Sequence, residues 1–523
     1  MNRAGAGTPS QSAARRVLEF GKRNIDVVAL VLILVLALVL RLKQLGHVLS
    51  FDEAWNAVTA GAGAAGKTKD IFFFNFYRHP PIYLSAAILY RKLFSSSTGF
   101  MQAISIASSL GVIATLFFMA KKGIGRAAAV CGAFFLAVAP VANILDTWVK
   151  QDSLAILFCA LFAYFFLSRR YVLSGIFFGL GLLTKEIVLF VALGALIYTI
   201  ATFSRKKMIG LLEAFVIGAV MSAWWYLAFS NTKGDFLKFF FGNSPVNARF
   251  IQPWHYYLGR LPADMTWSAV IFVIVGVVVW ALRRARMKKV EKGAEDYVLF
   301  SIAWAAPTLL LLTLSAGKPV WMVYSAAFPL ALLAGYGLSS LLSAEVVRKE
   351  LVYVVIALVL AGGVAYGVTL NHDRYMQSTG SWGETLEDHA IALKLNSMSR
   401  PGEALVMSYD DLSPEIAFYL KSYKPDSILP IPFSENARGM TTTITGREPG
   451  KNIYLVDRRF PWSLVTSYVD MLAPDLVMIK DRPNGSLSSD LARELEKIAL
   501  YIEVENGRIW RGEDISRATG GAP

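Results

Sequence analysis

Long apolar stretches recur along the first 370 residues of this 523-residue chain and then stop. A helix needs about 20 mainly apolar residues to cross the hydrocarbon core of a bilayer. About eleven segments approach that length, namely 25–45, 101–120, 127–142, 153–167, 172–184, 187–203, 208–229, 267–283, 297–314, 320–342 and 351–370. The pattern predicts a polytopic, mainly α-helical membrane protein and excludes an ordinary cytosolic enzyme.

The composition agrees with this prediction. The chain is 55% hydrophobic and only 17% charged, whereas soluble domains carry roughly 25% charged residues. Its net charge of +14 would suggest a nucleic-acid partner in a soluble protein, but in a membrane protein Lys and Arg mark cytoplasmic loops. We therefore expect no nucleic acid. Cys131 and Cys159 lie in apolar runs, which indicates neither a disulfide framework nor a Cys-rich metal site.

The basic residues predict the orientation in the membrane. With a cytoplasmic N-terminus, the inside segments hold 21 Lys and Arg in 60 residues, and the outside segments hold 12 in 110. This asymmetry favours that orientation, and an odd number of spans leaves the C-terminus outside a plasma or inner membrane. Residues 82–94 are apolar but too short to span, and we expect them to lie in the membrane interface.

Three regions follow from these patterns. Residues 1–24 are small, polar and basic, which is typical of a disordered cytoplasmic tail. Residues 25–371 form the transmembrane domain, with an outer loop at 46–100. Residues 372–523 alternate predicted strands (404–409, 452–457, 475–479) with predicted helices (413–421, 462–472, 488–498). Such alternation predicts an extracytoplasmic α/β domain.

Four acidic residues fall on the predicted outer side, close to the ends of spans. Asp52 and Glu53 lie in the loop sequence HVLSFDEAW, and Asp146 and Asp152 lie in NILDTWVKQDS. Acids near membrane depth are costly and are therefore candidate functional residues, although a solvated loop charge or a helix cap explains an isolated pair equally well. Lysines accompany them at positions 150, 185 and 318. Carboxylates beside cations suit activation of a hydroxyl and stabilisation of an anionic leaving group.

Five motifs occur in a recognisable order along residues 25–342. FDEAW is followed by RHPPIYL, NILDTWVKQDSLAILF, GLGLLTKE and GKPVWMVYSAAFPLALLAGYGL, and the long outer loop carries Arg249 and PWHYYLGRLP. Together they resemble the superfamily of dolichyl-phosphate-mannose protein mannosyltransferases and aminoarabinose transferases. These are membrane glycosyltransferases of the GT-C fold that use a polyprenyl-phosphate sugar donor.

The resemblance implies a role for each candidate residue. Asp52 becomes the base or the carboxylate that orients the acceptor, Glu53 supports it or contacts the donor, and Asp152 or Asp146 completes the acidic site. The implied ligands of the donor phosphate are Lys185, Lys318 and Arg249, with Arg41, Tyr324 and His79 as further candidates. The partners are then a polyprenyl-phosphate-linked sugar, the lipid bilayer, and an acceptor that is a lipid, a glycan or a protein.

A divalent metal ion is a possible cofactor. His79, in RHPP, either binds the donor phosphate, holds a metal together with Asp52, or caps the helix that follows; His255 is a second possible metal ligand, or part of an aromatic interfacial belt. No nucleotide is expected, because GAGAAGKT at 61–68 matches the P-loop pattern outside the strand–helix setting in which that motif works.

The main alternative is a polytopic transporter or lipid flippase with an extracytoplasmic accessory domain. Such a protein would show two related halves with Gly- or Pro-broken spans and charges at the midplane, whereas the charges here gather on one predicted face. A catalytically inactive scaffold, whose outer domain binds a partner, is the third hypothesis.

Overall fold

The structure is a computed structural model of the chain. It describes residues 24–64, 66, 80–94, 98–228, 252–285, 292–315, 317–343 and 349–377, positions 390, 391, 393, 394 and 397, and five short strands. The described residues fall into two compact units. The first holds residues 24–45, 102–147 and 151–372, and the second holds residues 46–101, 148–150 and everything described from Asp373 onward.

The helices are α1 (Ile25–Leu42), α2 (Phe51–Ala64), α3 (Pro81–Phe94), α4 (Thr98–Gly123), α5 (Arg126–Val138), α6 (Pro140–Leu145), α7 (Asp152–Leu167), α8 (Tyr171–Leu182), α9 (Val188–Ala201), α10 (Arg205–Ala228), α11 (Tyr256–Met265), α12 (Trp267–Ala285), α13 (Lys292–Leu314), α14 (Tyr324–Leu342, preceded by a 3₁₀ turn at Val320–Val323), α15 (Lys349–Thr369) and α16 (His372–Gln377).

Every predicted span overlaps one of these helices, except that the span predicted at 127–142 is divided at Ala139 between α5 and α6. Within the described residues, six helices are long and apolar enough to cross a membrane: Ile25–Leu42, Met101–Gly123, Arg205–Ala228, Trp267–Ala285, Gly293–Leu314 and Val320–Leu342. The other predicted spans correspond to shorter apolar helices, Arg126–Val138, Asp152–Leu167, Tyr171–Leu182, Val188–Ala201 and Val354–Thr369. The count of eleven membrane crossings stays a prediction.

Small residues let the helices of the first unit approach closely. A Cβ added at Gly175 of α8 would lie 2.8 Å from the carbonyl oxygen of Ala214 in α10, and one at Gly179 would lie 3.2 Å from the Cα of Gly218. The small-xxx-small spacing of GIFFG at 175–179 therefore serves packing between two helices of the same chain.

The outer faces of the helices remain apolar. In α1, Leu30, Ile33, Ala37 and Leu40 are buried at helical spacing, while the opposite face exposes leucine and valine side chains (Val28, Val31, Leu32, Val35, Val39). A helix that is apolar on all sides is typical of a membrane span. Hydrocarbon, rather than water, is the natural solvent for these exposed faces.

Polar contacts link one set of helix ends in the first unit. They join segments that the charge pattern assigns to the cytoplasmic side: Lys121 to Asp26 at 2.6 Å, Lys122 to Ser168 at 2.8 Å and Lys207 to Asp296 at 2.9 Å. Gly123 at the end of α4 also lies against the ring of Tyr297 near the start of α13. The start of α1, the α4–α5 turn, the α7–α8 turn, the start of α10 and the start of α13 therefore lie on one face of this unit.

The second unit contains α2, α3 and a mixed five-stranded sheet. The strands are β1 (Leu405–Ser408), β2 (Ile453–Val456), β3 (Leu476–Lys480), β4 (Tyr501–Val504) and β5 (Gly507–Arg511), in the spatial order β2-β1-β3-β5-β4. β1 pairs in parallel with β2 and β3, and β5 pairs antiparallel to β3 and β4.

The sheet agrees with the sequence prediction for this region. The strands predicted at 404–409, 452–457 and 475–479 are confirmed as β1, β2 and β3. Parallel neighbours need a crossover connection, usually a helix. The helices predicted at 413–421, 462–472 and 488–498 fall outside the described residues, and so does the predicted tail before residue 24.

Candidate active site

Arg41 and Asp146 form a buried ion pair at the end of α1. Arg41 is 0% exposed, and its Nη2 lies 2.7 Å from Oδ2 of Asp146. Ser109 donates to the same oxygen at 2.5 Å, Ser153 donates to Oδ1 at 2.9 Å, and the Tyr324 hydroxyl also donates to Oδ1. Four side chains from four separate segments thus converge on one carboxylate.

The guanidinium of Arg41 also has several hydrogen-bond acceptors. Its Nη1 donates to Oδ1 of Asn143 at 3.0 Å and to the carbonyl oxygens of Ala37 and Ala137 at 3.1 and 3.2 Å. A buried charge is tolerated when it is both paired and hydrogen-bonded. Because Arg41 and Asp146 satisfy each other inside the unit, their geometry favours a role in holding α1, α6 and α14 together.

Asp152 and Lys185 form a second ion pair in the same unit. Asp152 is the first residue of α7, Lys185 follows α8, and Nζ lies 2.7 Å from Oδ1. Both residues are buried. Oδ2 of Asp152 and Oε1 of Gln151 are buried acceptors without a donor among the described residues. Unlike Asp146, Asp152 therefore retains capacity to accept a hydrogen bond.

Lys318 is a buried cation in the turn between α13 and α14. Its Nζ donates to the carbonyl oxygen of Ser315 at 2.6 Å, and no carboxylate pairs with it among the residues that the structure describes. Desolvation lowers the pKa of its ammonium group. The turn also contacts α11, because the buried hydroxyl of Tyr257 donates to the carbonyl oxygen of Pro319 at 2.8 Å.

Asp52 and Glu53 belong to the second unit, and here the structure corrects the sequence analysis. We expected both in a loop, but they lie in the first turn of α2. Ser50 and Glu53 form one arm of a capping box, in which the backbone N–H of Ser50 donates to Oε2 of Glu53 at 2.9 Å; the Ser50 hydroxyl donates to the same oxygen at 2.9 Å. The S-x-x-E spacing of this box was readable in the sequence.

The two acids of this turn differ in their surroundings. Oε1 of Glu53 lies 3.0 Å from Nε2 of His47 and accepts the backbone N–H of Val149 at 3.0 Å, and the Glu53 side chain is 0% exposed. The Asp52 side chain is 45% exposed, and its Oδ2 lies 2.5 Å from Nζ of Lys150. Sequence analysis did not single out His47, since nothing in its spacing to Glu53 distinguished it.

The remaining candidates bear mainly on metal binding. His79 and Arg249 lie outside the described residues. His255 is exposed just before α11, with its ring 5.5 Å from that of Trp254. Within the part of the chain that the structure describes, no group of three His, Cys, Asp or Glu residues is placed to hold a metal ion.

Residues 78–226 match the family model for dolichyl-phosphate-mannose-protein mannosyltransferase. No curated protein sequence matches the chain significantly. The matched region contains α3 to α10, and therefore Asp146, Asp152 and Lys185.

Solved structures show the same fold over almost the whole chain. ArnT from Cupriavidus metallidurans in the apo state aligns with a TM-score of 0.63 at 16% identity, covering 97% of this chain and 100% of that one. Its complex with undecaprenyl phosphate gives 0.60 at 15%, covering 92% and 97%. The oligosaccharyltransferase AglB from Archaeoglobus fulgidus, in complex with an inhibitory peptide and a dolichol-phosphate, gives 0.51 at 14%, covering 76% and 64%.

The solved structures confirm the predicted fold, and the family model that matches residues 78–226 supports the predicted superfamily. The chain is an integral membrane protein with the fold of ArnT.

Proposed function

We propose that the chain transfers one sugar from a polyprenyl-phosphate donor to an acceptor on the outer face of the membrane, with Asp52 as the base or acceptor-orienting carboxylate. The family model that matches residues 78–226 describes a dolichyl-phosphate-mannose-dependent transferase. The similar ArnT and AglB structures contain undecaprenyl phosphate and a dolichol-phosphate. In the proposed reaction the acceptor oxygen bonds to the anomeric carbon, the bond from that carbon to the phosphate oxygen breaks, and the acceptor proton passes to Asp52.

The observation that carries this assignment is the exposure of Asp52. Its side chain is 45% exposed, whereas the side chains of Glu53, Asp146 and Asp152 are 0%, 1% and 3% exposed. A group that takes a proton from an acceptor must come within hydrogen-bond distance of it. Among the four predicted acids, Asp52 alone combines a charged partner with an open side.

Lys318 is the best supported ligand for the departing lipid phosphate. It is buried, and its described polar contact is a carbonyl oxygen rather than a carboxylate. A preorganised cation stabilises the negative charge that develops on a leaving group. Lys185 is already paired with Asp152, so its part in phosphate binding requires that pair to rearrange. Arg249, His79 and Tyr324 remain proposed on resemblance.

We also propose that the N-terminus is cytoplasmic and the C-terminal domain is extracytoplasmic. The basic helix ends joined by the Lys121–Asp26, Lys122–Ser168 and Lys207–Asp296 contacts support this, because Lys and Arg concentrate on the cytoplasmic side. In a cysteine-free background, Phe203→Cys should react with an impermeant maleimide only after permeabilisation, and Ser85→Cys should react in intact cells. The reverse result would overturn the orientation.

A metal ion is proposed only as an addition to this scheme. Asp52, His79 and His255 are the predicted ligands, but the described neighbour of Asp52 is an ammonium group, which competes with a cation. No step is therefore assigned to a metal. Transfer measured with EDTA and after readdition of Mg²⁺, Mn²⁺ or Zn²⁺ tests its participation.

The experiment that tests the function uses a deletion strain. Mass spectrometry of its surface glycans and lipids should show one missing sugar and an accumulated polyprenyl-phosphate sugar. Membranes of this strain then supply donor and acceptor for the purified chain. We expect Asp52→Asn to lower the transfer rate by about 10²–10⁴-fold, the usual contribution of a general base.

Asp296→Asn is the matched control. Asp296 is 34% exposed and pairs with Lys207 at 2.9 Å, much as Asp52 pairs with Lys150, but it lies at the predicted cytoplasmic ends of the helices. It should leave transfer unchanged. An Asp52→Asn protein that folds and transfers at the wild-type rate would overturn the proposed function.

A further inference from the structure

The segment Trp148–Lys150 is clamped to α2 through both backbone groups of Val149. The N–H of Val149 donates to Oε1 of Glu53 at 3.0 Å, and its carbonyl oxygen accepts from Nδ2 of Asn56 at 2.8 Å. Glu53 and Asn56 are three residues apart, so they share one face of the helix. Both are buried. The clamp fixes this short segment against the turn that carries Asp52.

The two hydrogen bonds of Val149 hold the next residue, Lys150, beside Asp52. Its Nζ lies 2.5 Å from Oδ2 of Asp52, and its side chain is only 3% exposed. The same Nζ lies 4.8 Å from the ring centroid of Trp148, a cation–π distance. The ammonium is therefore held on two sides, by a carboxylate and by an aromatic face.

The pair is asymmetric in a way that suggests a division of roles. Lys150 is buried while Asp52 is 45% exposed, so the lysine lies behind the carboxylate and the carboxylate faces outward. A neighbouring ammonium stabilises the ionised form of a carboxylate. It also restricts the orientation of that carboxylate.

We propose that Lys150 is a positioning residue for Asp52, and that Glu53 and Asn56 act on the reaction by holding Lys150 in place. This inference rests on the proposed function, because it assigns a supporting residue to the same carboxylate. It separates the roles of the adjacent acids Asp52 and Glu53: the first faces the acceptor, and the second holds the segment that supports the first. Asn56 joins the site, although no motif in the sequence indicated it.

The competing role for Lys150 is direct binding of the donor phosphate. The two roles predict different kinetics. A residue that acts through Asp52 changes kcat, whereas a phosphate contact that is equally strong in the ground state and the transition state changes KM. Lys150→Met removes the charge and keeps an unbranched side chain. Lys150→Arg keeps the charge and can still pair with a carboxylate.

The assay uses lipid-linked sugar extracted from the deletion strain, titrated against each purified variant. Lys150→Met should lower kcat by about 10- to 100-fold, the scale of a misplaced reacting group, with the KM for the donor within about twofold of wild type. Lys150→Arg should restore most of kcat. Lys122→Met is the matched control, since Lys122 also lies over an aromatic ring and makes a 2.8 Å hydrogen bond, and it should be neutral.

A second variant keeps the test open if Lys150→Met does not fold. Asn56→Ala leaves every charge in place and removes one arm of the clamp, and it should lower kcat by a smaller factor with an unchanged donor KM. An Asp52→Asn background adds a third readout, because Lys150→Met should cause little further loss of transfer once the carboxylate is neutral.

Three results would overturn the inference: a raised donor KM with unchanged kcat, multiplicative losses in the double variant, or full activity of both Lys150→Met and Asn56→Ala. These results are distinguishable from failure of the proposed function. If Asp52→Asn is inactive while the Lys150 variants are fully active, the function stands and the positioning role falls. If Asp52→Asn is active, the function itself falls.

Discussion

Two ion pairs in this protein each join a basic residue to an aspartate, but their surroundings are opposite. The Arg41–Asp146 pair is 0% and 1% exposed, and each charge is surrounded by further hydrogen-bond partners. In the Lys150–Asp52 pair the cation is 3% exposed and the carboxylate 45%. In the first pair the aspartate is buried and fully hydrogen-bonded within the protein, whereas in the second the aspartate is exposed to solvent.

The comparison shows why an acidic residue near a membrane boundary is not by itself a catalytic residue. Asp146 accepts from Arg41, Ser109, Ser153 and Tyr324, which leaves little capacity for a substrate. A saturated buried network specifies and stiffens a fold. Burial and the number of donors therefore separate a structural acid from a reactive one, and mutation of each should show it.

The largest expected effect is on folding, at Asp146. Asp146→Ala leaves the guanidinium of Arg41 buried without its carboxylate, and breaking a buried pair from one side costs about 3–5 kcal/mol. We expect little monodisperse protein after detergent extraction and a markedly lower Tm for what remains, measured by intrinsic fluorescence. Asp52→Ala also removes the carboxylate partner of a buried cation, Lys150, but the vacated position is exposed to solvent, so its Tm should fall by much less.

The double variant Arg41→Met/Asp146→Leu is the control for this prediction. Replacing both partners by apolar residues removes the unpaired charge, so that much of the stability should return. If Asp146→Ala is as stable as wild type, or if the double variant is less stable than Asp146→Ala, the contrast between the two pairs fails.

Asp152 tests an intermediate case. It is buried like Asp146 but has one described ionic partner, Lys185, and an acceptor oxygen without a described donor. Asp152→Asn keeps the shape and weakens the pairing, and it should cost about 1–3 kcal/mol, the scale of a compromised buried hydrogen bond. Thermal unfolding in detergent measures this loss. A Tm equal to that of Asp146→Ala would place Asp152 with the structural acids.

The spans and strands were predictable because they depend on local patterns. Stretches of about 20 apolar residues predict spans, and short β-rich runs correctly placed β1, β2 and β3. The ranking of the acids was not predictable. It depends on Ser109, Ser153 and Tyr324 reaching Asp146 from distant segments, and a linear sequence carries no periodicity that reports such convergence.

The first turn of α2 was only partly predictable from the sequence. Its Ser50–Glu53 capping box follows a known spacing, yet the acidic pair was interpreted as part of a loop because it comes directly after a predicted span. What the spacing does not contain is the second use of Glu53, which accepts the N–H of Val149 from 96 residues further along the chain.

The capping box gives a smaller, local prediction. Ser50→Ala removes the hydroxyl that donates to Glu53 at 2.9 Å, and loss of one such hydrogen bond costs about 0.5–1.5 kcal/mol. Hydrogen exchange of α2 should increase, and kcat should fall modestly because Asp52 lies in the frayed turn. Ser108→Ala, which removes a hydroxyl bonded to the Ile104 carbonyl inside α4, should be nearly neutral. Equal protection of α2 in both variants would contradict the role of the cap.

The smallest expected effect extends the comparison from carboxylates to cations. Lys150 has a carboxylate beside it, whereas burial lowers the pKa of Lys318, whose described contact is the Ser315 carbonyl. Since the protonated form binds phosphate, the donor KM should rise several-fold as the pH increases through this lowered pKa, at a lower pH than for an exposed lysine. Lys318→Arg stays charged, so its donor KM should remain flat over the same range. A wild-type KM that does not change with pH, or an identical rise in Lys318→Arg, would show that the donor phosphate does not rely on Lys318.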